Sequence, residues 1–399
     1  MKKLNIYIIL SFCFFLFSMN ISCETNGAED IIDNTDTGKD KDKDKDKDDE
    51  DKDKDDDKDD GDDDGNIDPP PVAGDTELKV FQLNLWHSTS TVPSGYDGAV
   101  DIIKQLEPDI VMLCEINNSN NEFFVPKLLK SLRQKGLEYY GESLDMSVGI
   151  LSKYKLKDFD RFKSPGSMLK ASVDINGQTV VIYSAHLDYT HYECYLPRGY
   201  SGTTWKKLDA PVTDVDYILV ANREATRDEA IANFIVDAKK ETDKGNIVIM
   251  GGDFNEPSHL DWQENTKDLW DHNGVVINWD CSVMLTEAGY KDSYREIYPD
   301  PVKYPAFTFP SANKYVDVSK LAWAPDVDER DRIDFIYFYP NPVISLEDAK
   351  IVGPSGSVYF GKQDVHDAED EFIEPNGVWP TDHKGNMATF VIKASEKQE

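Results

Sequence analysis

Acids, amides and histidines recur in this chain at one kind of position. Asn84, Glu115, His186, Asp188, Asp253, Asn255, Asp334, Asp382 and His383 each stand at the end of an apolar run or just beyond it. Such side chains ligate hard cations and move protons. A buried sheet needs no acids or histidines at its strand ends, whereas a site carried on a rigid scaffold does. Taken singly, each has a plainer use: Asn84 as a turn former, Glu115 as a helix cap, His186 as a satisfied core histidine, Asp253-Phe254-Asn255 as loop. Other chemistries are not signalled. There is no glycine-rich phosphate loop and no His-x-x-x-His, and His87, His191, His272 and His366 stand at no zinc-ligand spacing.

The elements that must position these residues follow from hydrophobic periodicity. Residues 78–85 alternate and predict a strand. Ala99, Ile102, Ile103 and Leu106 fall at helical spacing, and Pro108 closes that helix. Residues 109–115 predict a buried strand ending in an acid, and 147–152 a short apolar one. Residues 171–175 and 179–184 predict a hairpin across Asn176-Gly177, with His186 just after its second strand. Ile231, Phe234, Ile235 and Ala238 mark a helix over about 222–240. Strands over 246–250, running into Gly251-Gly252-Asp253, 333–339 and 386–392 complete the set. Many strands with a few helices between them predict an α+β class, an α/β sandwich. No linker-like break divides residues 76–395, which read as one catalytic domain.

Six segments occur in a telling order: Gln82-Leu83-Asn84, Leu113-Cys114-Glu115, Ser184-Ala185-His186-Leu187-Asp188, Gly251-Gly252-Asp253-Phe254-Asn255, Arg332-Ile333-Asp334-Phe335-Ile336 and Thr381-Asp382-His383. One such segment is a weak signal; six in order are specific. From Phe81 to Phe390 the series resembles the endonuclease/exonuclease/phosphatase superfamily, which includes DNase I, exonuclease III, sphingomyelinases and inositol polyphosphate 5-phosphatases. The resemblance implies a DNase I-like four-layer fold, two packed, mostly antiparallel sheets flanked by helices. It also implies hydrolysis of a phosphate ester with a divalent metal, Mg²⁺ first and Mn²⁺ or Ca²⁺ as substitutes. Such an ester is anionic, so catalysis needs charge neutralisation, an activated water and help for the leaving oxygen. By the resemblance, Glu115 would bind the metal, with Asn84 and Asp382 assisting. Asp253 would sit near the attacking water or the leaving group, and Asn255 would donate to phosphoryl oxygens. His186 would contact a non-bridging oxygen. His383 would act as base or electrostatic clamp, paired with Asp334. Members differ on one metal or two, and on whether Asp253 or His383 takes the proton.

The substrate is less legible. Residues 188–220 form a long segment with Tyr189, Tyr192, Tyr195, Tyr200, Trp205 and Tyr217, plus Arg198, Lys206 and Lys207. It could wall a pocket for a small phosphorylated molecule or sugar phosphate, stack on bases, or only pack over the sheet edge. Asp188 and Tyr189 are candidate substrate contacts within it. Arg223 and Arg227, one turn apart on the expected helix, could reach a phosphate or pair with Glu224 and Asp228. Trp262, with His259, lines the pocket or packs a loop. The sequence patterns of the inositol 5-phosphatases and the exposed apolar hairpin of some secreted sphingomyelinases are missing. Residues 71–399 carry 53 acids against 33 bases, a net of −20. That field repels polyanions. It favours small or lipid-head-group phosphates over one alternative, an extracellular nuclease; the other, a non-catalytic surface binding protein, is disfavoured because all the matched positions are intact.

The N-terminus reads as a targeting segment. Lys2-Lys3 precede an almost wholly apolar stretch over 4–19, too short for a comfortable membrane span, and Ser22-Cys23 follow. Residues 1–23 therefore predict a lipoprotein signal peptide with lipidation at Cys23, although Asn20 stands where such signals usually carry Leu. Residues 24–70 carry 23 acids and 8 lysines, so 24–75 predict a disordered acidic stalk. Acids soon after Cys23 resemble the surface-export signals of Bacteroidetes-type lipoproteins. Asp60-x-Asp62-x-Asp64-Gly65 matches the start of a calcium loop, but Pro71 stands where the bidentate Glu belongs. The expectation is an exported monomer at the outer membrane or cell surface, touching membrane only through its lipid. Cys114 reads as buried core, and a Cys194–Cys281 disulfide is left open.

Overall fold

The computed structural model describes residues 74–116, 123–144, 146–162, 165–365 and 368–394. The expected signal segment, Cys23 and nearly all of the expected acidic stalk lie outside the described residues. In chain order the strands are β1 Thr76–Asn84, β2 Ile110–Cys114, β3 Tyr140–Glu142, β4 Val148–Ser152, β5 Lys157–Arg161, β6 Ser167–Ile175, β7 Gln178–His186, β8 Ile247–Asp253, β9 Lys291–Asp292, β10 Asp334–Phe338, β11 Ile344–Val352, β12 Ser357–Tyr359, β13 Lys362–Asp364, β14 Phe372–Ile373 and β15 Gly385–Ile392. The helices are α1 Gly95–Leu106, α2 Phe124–Gln134, α3 Val215–Asn222, α4 Arg227–Thr242, α5 Asp280–Glu287 and α6 Ser293–Ile297.

Seven strands form one sheet, in the order β14-β11-β15-β1-β2-β4-β3, and six form a second, β5-β6-β7-β8-β10-β9. Pairing is antiparallel except for β1 with β2, β7 with β8 and β11 with β14. Leu78, Val80, Ile110, Met112, Ile150, Leu169, Ile182, Ile249, Ile336 and Phe390 fill the layer between the sheets. The outer face of the first sheet packs under α1 and α2 through Phe81, Leu83, Val111 and Leu113 with Ile102, Ile103 and Leu128. The outer face of the second packs under α4 and α5 through Val181, Tyr183, Val248 and Met250 with Ile231, Phe234 and Leu285. This is the DNase I-like arrangement, two mostly antiparallel sheets flanked by helices, as the motif series implies.

The strand period of two decides where the polar residues go. On β1 the inward row runs Leu78, Val80, Gln82, Asn84; on β7 Val180, Ile182, Ser184, His186; on β8 Ile247, Ile249, Gly251, Asp253. Each row starts aliphatic and ends polar. Register then aligns the ends, pairing His186 with Asp253, Asp253 with Asp334, and Gln82 with Asn386. One end of the inter-sheet layer is thereby a polar site, and the rest is core.

The hairpin at Asn176-Gly177 forms as expected, with both residues at positive φ. The helix expected over about 222–240 forms as α4, which starts only at Arg227, a few residues after α3 ends, so Arg223 and Arg227 do not share a helix face. Arg227 is buried, and its guanidinium donates to the carbonyls of Asp188, Thr190, His191 and Asn222. The open Cys194–Cys281 pairing is also corrected, since Cys114, Cys194 and Cys281 are all free and buried.

Gly252 sits where the sheet allows no side chain. A β-carbon there would meet the Ala185 carbonyl oxygen at 1.8 Å. Gly252→Ala should therefore cost about 1–3 kcal/mol or more through forced backbone movement. A thermal melt should show a clearly lower transition; an unchanged melt would contradict this reading of the β7–β8 contact.

Candidate active site

The site begins with a buried dyad. His383 Nδ1 lies 2.9 Å from Asp334 Oδ2, and Gln82 Nε2 donates to Asp334 Oδ1 at 3.0 Å. Asn386 Nδ2 donates to Gln82 Oε1 and to the Asp334 carbonyl. Asp334 thus accepts along both oxygens, which orients the imidazole and leaves Nε2 facing Asp253 Oδ2 at 3.8 Å and Asp382 Oδ1 at 3.9 Å. Burial pulls the His383 pKa down, but Asp334, Asp253 and Asp382 outweigh it and raise it to about 10. The surrounding carboxylates thus favour the imidazolium form of the ring, and Phe309 is tilted against it at 4.8 Å.

Asn84 joins the remaining acids. Its Oδ1 accepts from the Trp86 amide, so Nδ2 points at the carboxylates, donating to Glu115 Oε1 at 3.1 Å and Asp253 Oδ2 at 2.9 Å. Glu115 departs from strand geometry at φ 54°, which swings its side chain into the cavity instead of onto the outer face. His186 Nε2 lies 4.0 Å from Glu115 Oε1 and 3.7 Å from Asp253 Oδ2. Asn255, also at positive φ, donates its backbone N–H to Asp253 Oδ1 and its amide to the Leu187 carbonyl. One amide hydrogen of Asn255 is left for another acceptor.

The acids differ in protonation. Burial would raise Glu115, but His186, the His87 amide, His383 and Asn84 hold it below the ordinary carboxylate range. Burial and the nearby Asp334 push Asp253 up to about 6, and burial with Glu115 pushes Asp382 up to about 7 despite His383. Crowded carboxylates that retain protons for want of positive charge suit a hard divalent cation. Glu115, the most acidic and most open of them, is the natural anchor, with Asn84 and Asp382 beside it. Asp253, Asp334 and His383 also bring one donor atom each within 4.8 Å of one another. Asp334, however, is fully engaged by Gln82 and His383, so that trio is better read as the dyad and its neighbour.

A cavity of about 660 Å³ runs from this cluster to an aromatic wall. It is lined by Glu115, His186, Asp253, Asn255, Asp382 and His383 at one end, and by Tyr189, Tyr192, Trp205 and Trp323 at the other. Tyr189 lines the cavity and is 63% exposed. Asp188 lines the cavity, but its carboxylate accepts from Thr190 and Thr226, so its work is to pin the loop. Two expected substrate contacts are not in the lining. Arg223 forms a bidentate surface pair with Asp280 at 2.8 Å. Trp262 is 1% exposed, stacks on His272 at 3.5 Å and donates Nε1 to Asp331. His259 is likewise engaged, by Ser282.

The match to the endonuclease/exonuclease/phosphatase family model covers residues 81–383. The chain belongs to this family. Members of the family hydrolyse phosphodiester bonds, commonly with a divalent metal. An uncharacterised Caenorhabditis elegans protein, F14F9.5, is 29% identical over 322 residues, covering 79% of this chain and 91% of its own length. Truncated TDP2 from Caenorhabditis elegans is 17% identical with a TM-score of 0.44, covering 79% of this chain and 97% of that one. The human nocturnin catalytic domain with bound sulfate is 15% identical with a TM-score of 0.44, covering 79% and 94%.

The eight residues that the sequence assigns as candidates for catalysis or the metal, Asn84, Glu115, His186, Asp253, Asn255, Asp334, Asp382 and His383, come together here. Sequence reasoning passed over His87, Trp323 and Phe309. Spacing gave no signal for His87, because a left-handed turn brings it to the site; Trp323 and Phe309 come from segments with no motif.

The placement of Trp262 is testable. Trp262→Phe removes a donor from the buried Asp331 carboxylate and should cost about 1–3 kcal/mol in denaturant unfolding. KM for any substrate should stay within twofold. A large KM increase with unchanged stability would return Trp262 to the substrate contacts.

Proposed function

We propose that this protein is a divalent-metal-dependent hydrolase of small or lipid-head-group phosphate esters, carried as an exported lipoprotein anchored at Cys23, with the acidic segment as its spacer, and acting as a monomer. The observation that carries the substrate reading is the cavity itself. Its described lining joins the acid and imidazole cluster to an aromatic wall and contains no lysine or arginine. A protein that follows a polynucleotide backbone needs cationic side chains along its groove. Among the described residues no helix is long and apolar enough to cross a membrane.

The residues divide the work as follows. Glu115, with Asn84 and Asp382 beside it, holds the cation, which when bound neutralises phosphoryl charge and polarises the reacting oxygens. His383, kept cationic by Asp334, faces the substrate phosphoryl through Nε2 and stabilises the charge that grows there in the five-coordinate state. His186 and the free amide hydrogen of Asn255 contact the remaining oxygens. Asp253, raised toward neutrality by burial and Asp334, accepts the proton of the attacking water. The new oxygen–phosphorus bond forms as the bond to the ester oxygen breaks, and that oxygen takes a proton from solvent water to release the alcohol.

Bis-p-nitrophenyl phosphate, p-nitrophenyl phosphate and plasmid DNA, each with Mn²⁺, Mg²⁺ or EDTA, give the direct assay. Turnover should require the cation, and Glu115→Gln and His383→Ala should each lower kcat/KM by about 10²-fold or more. Preference for plasmid, with a steep fall in rate as salt rises, would make the protein a nuclease instead. Retained turnover in both variants would sink this assignment of the site. The pH profile tests the dyad separately. Removing the Asp334 charge lowers the His383 pKa, and the protonated ring is the active form. The alkaline limb of kcat/KM in Asp334→Asn should therefore move to lower pH. An unmoved limb would show that His383 does not act as a cation.

A further inference from the structure

His87 is an imidazole at the site that the catalytic reading leaves unused. The chain does not leave β1 by an ordinary turn. Trp86, His87, Ser88 and Thr89 all have positive φ, from 34° to 65°. This left-handed turn folds back over Glu115, where the His87 N–H donates to Oε2 at 2.8 Å and the Ser88 N–H to the Glu115 carbonyl at 2.7 Å. The His87 ring follows its own amide. Nε2 lies 3.8 Å from the same Oε2, too far for a hydrogen bond, and the side chain lines the cavity while 65% exposed.

The two oxygens of Glu115 therefore have different surroundings. Oε1 is occupied by Asn84 Nδ2 and faces His186 and the buried acids. Oε2 keeps a lone pair beyond its one amide contact and faces His87. A carboxylate oxygen and an imidazole nitrogen that share one cation, each about 2.1 Å from it, stand about 3.0–3.5 Å apart. The observed 3.8 Å is a few tenths of an ångström from that spacing, and an exposed ring can rotate to close it. Mg²⁺ prefers all-oxygen shells with several waters, whereas Mn²⁺ and later divalent ions gain from an imidazole.

We propose that His87 is a ligand of the cation anchored by Glu115 and shifts the site's preference from Mg²⁺ toward Mn²⁺. This rests on the metal reading under Proposed function, and its test can fail separately. The plainer account is an exposed ion pair that forms only when His87 is protonated, and it predicts no metal effect. Calorimetric titration of the full chain with MnCl₂ and with MgCl₂ distinguishes them, Glu115→Gln supplying the background from the acidic N-terminal segment. In His87→Ala, folded to the same melting temperature, the Mn²⁺ Kd should rise at least about 10-fold, with Mg²⁺ changed less than about twofold. Pulsed EPR of the Mn²⁺ complex should show nitrogen coupling that His87→Ala removes and His186→Ala retains. Unchanged Mn²⁺ affinity in His87→Ala, with binding lost in Glu115→Gln, would overturn the role of His87 alone. Nitrogen coupling that persists in His87→Ala would do the same. If Glu115→Gln titrates like the wild type, the metal reading falls, and this inference with it.

Discussion

Four carboxylates, Glu115, Asp253, Asp334 and Asp382, converge where water is largely excluded, and their mutual repulsion is the constraint that the rest of the site answers. Isolated buried charge of this kind would cost many kcal/mol. The answer is distributed. Asn84 puts one amide between two of the acids, His383 lies against three of them, and backbone N–H groups of His87 and Asn255 take oxygens of Glu115 and Asp253. The compensation is incomplete, and Asp253 and Asp382 retain protons well above the usual carboxylate range. Incomplete compensation leaves room for a divalent cation and makes its binding compete with protons.

A second set of buried charges holds the aromatic wall. Arg198 pairs with Asp331 at 2.5 Å beneath the 188–220 segment, and Glu329 accepts from the Tyr195 hydroxyl and from the Trp323 and Ala324 amides. Burial pushes Glu329 up to about 7, so its acceptor role is shared between protonated and ionised forms near neutrality. Such pairs are poor sources of net stability but costly to break on one side. They therefore specify one loop arrangement. Trp205 and Trp323, 5.3 Å apart, are set by that arrangement rather than by contact with the catalytic cluster. A wall fixed in advance lowers the ordering cost of whatever binds against it.

Legibility in the sequence tracked periodicity. The inward row of β1 could be read from alternation and the strands β7 and β8 from their short apolar runs, and the polar residues at their ends are the candidate site positions. The Asn176-Gly177 hairpin was legible for the same reason, since two residues tolerant of positive φ stand between two apolar runs. Arg223, Arg227 and Trp262 were not legible. An arginine on a helix looks the same whether it faces a phosphate, pairs with Asp280, or is drawn inside by four carbonyls. A tryptophan near a motif does not declare whether its indole meets substrate or a buried aspartate. Short edge strands such as β12, β13 and β14 carry too few residues for a period.

By itself the sequence determined the family, because six short segments in order carry the resemblance and put polar donors at the ends of strands rigid enough to keep them there. Its many short strands also gave the α/β sandwich class, while the two packed sheets were implied by the resemblance. Only the tertiary structure decided which long-range partners each donor has: that Asp334 is committed to His383 and Gln82, that Asp188 pins a loop, and that His87 returns over Glu115 through a left-handed turn. Those outcomes depend on contacts between residues tens to hundreds of positions apart and on backbone conformations that no local preference encodes. Local chemistry names the candidates, and packing assigns their partners.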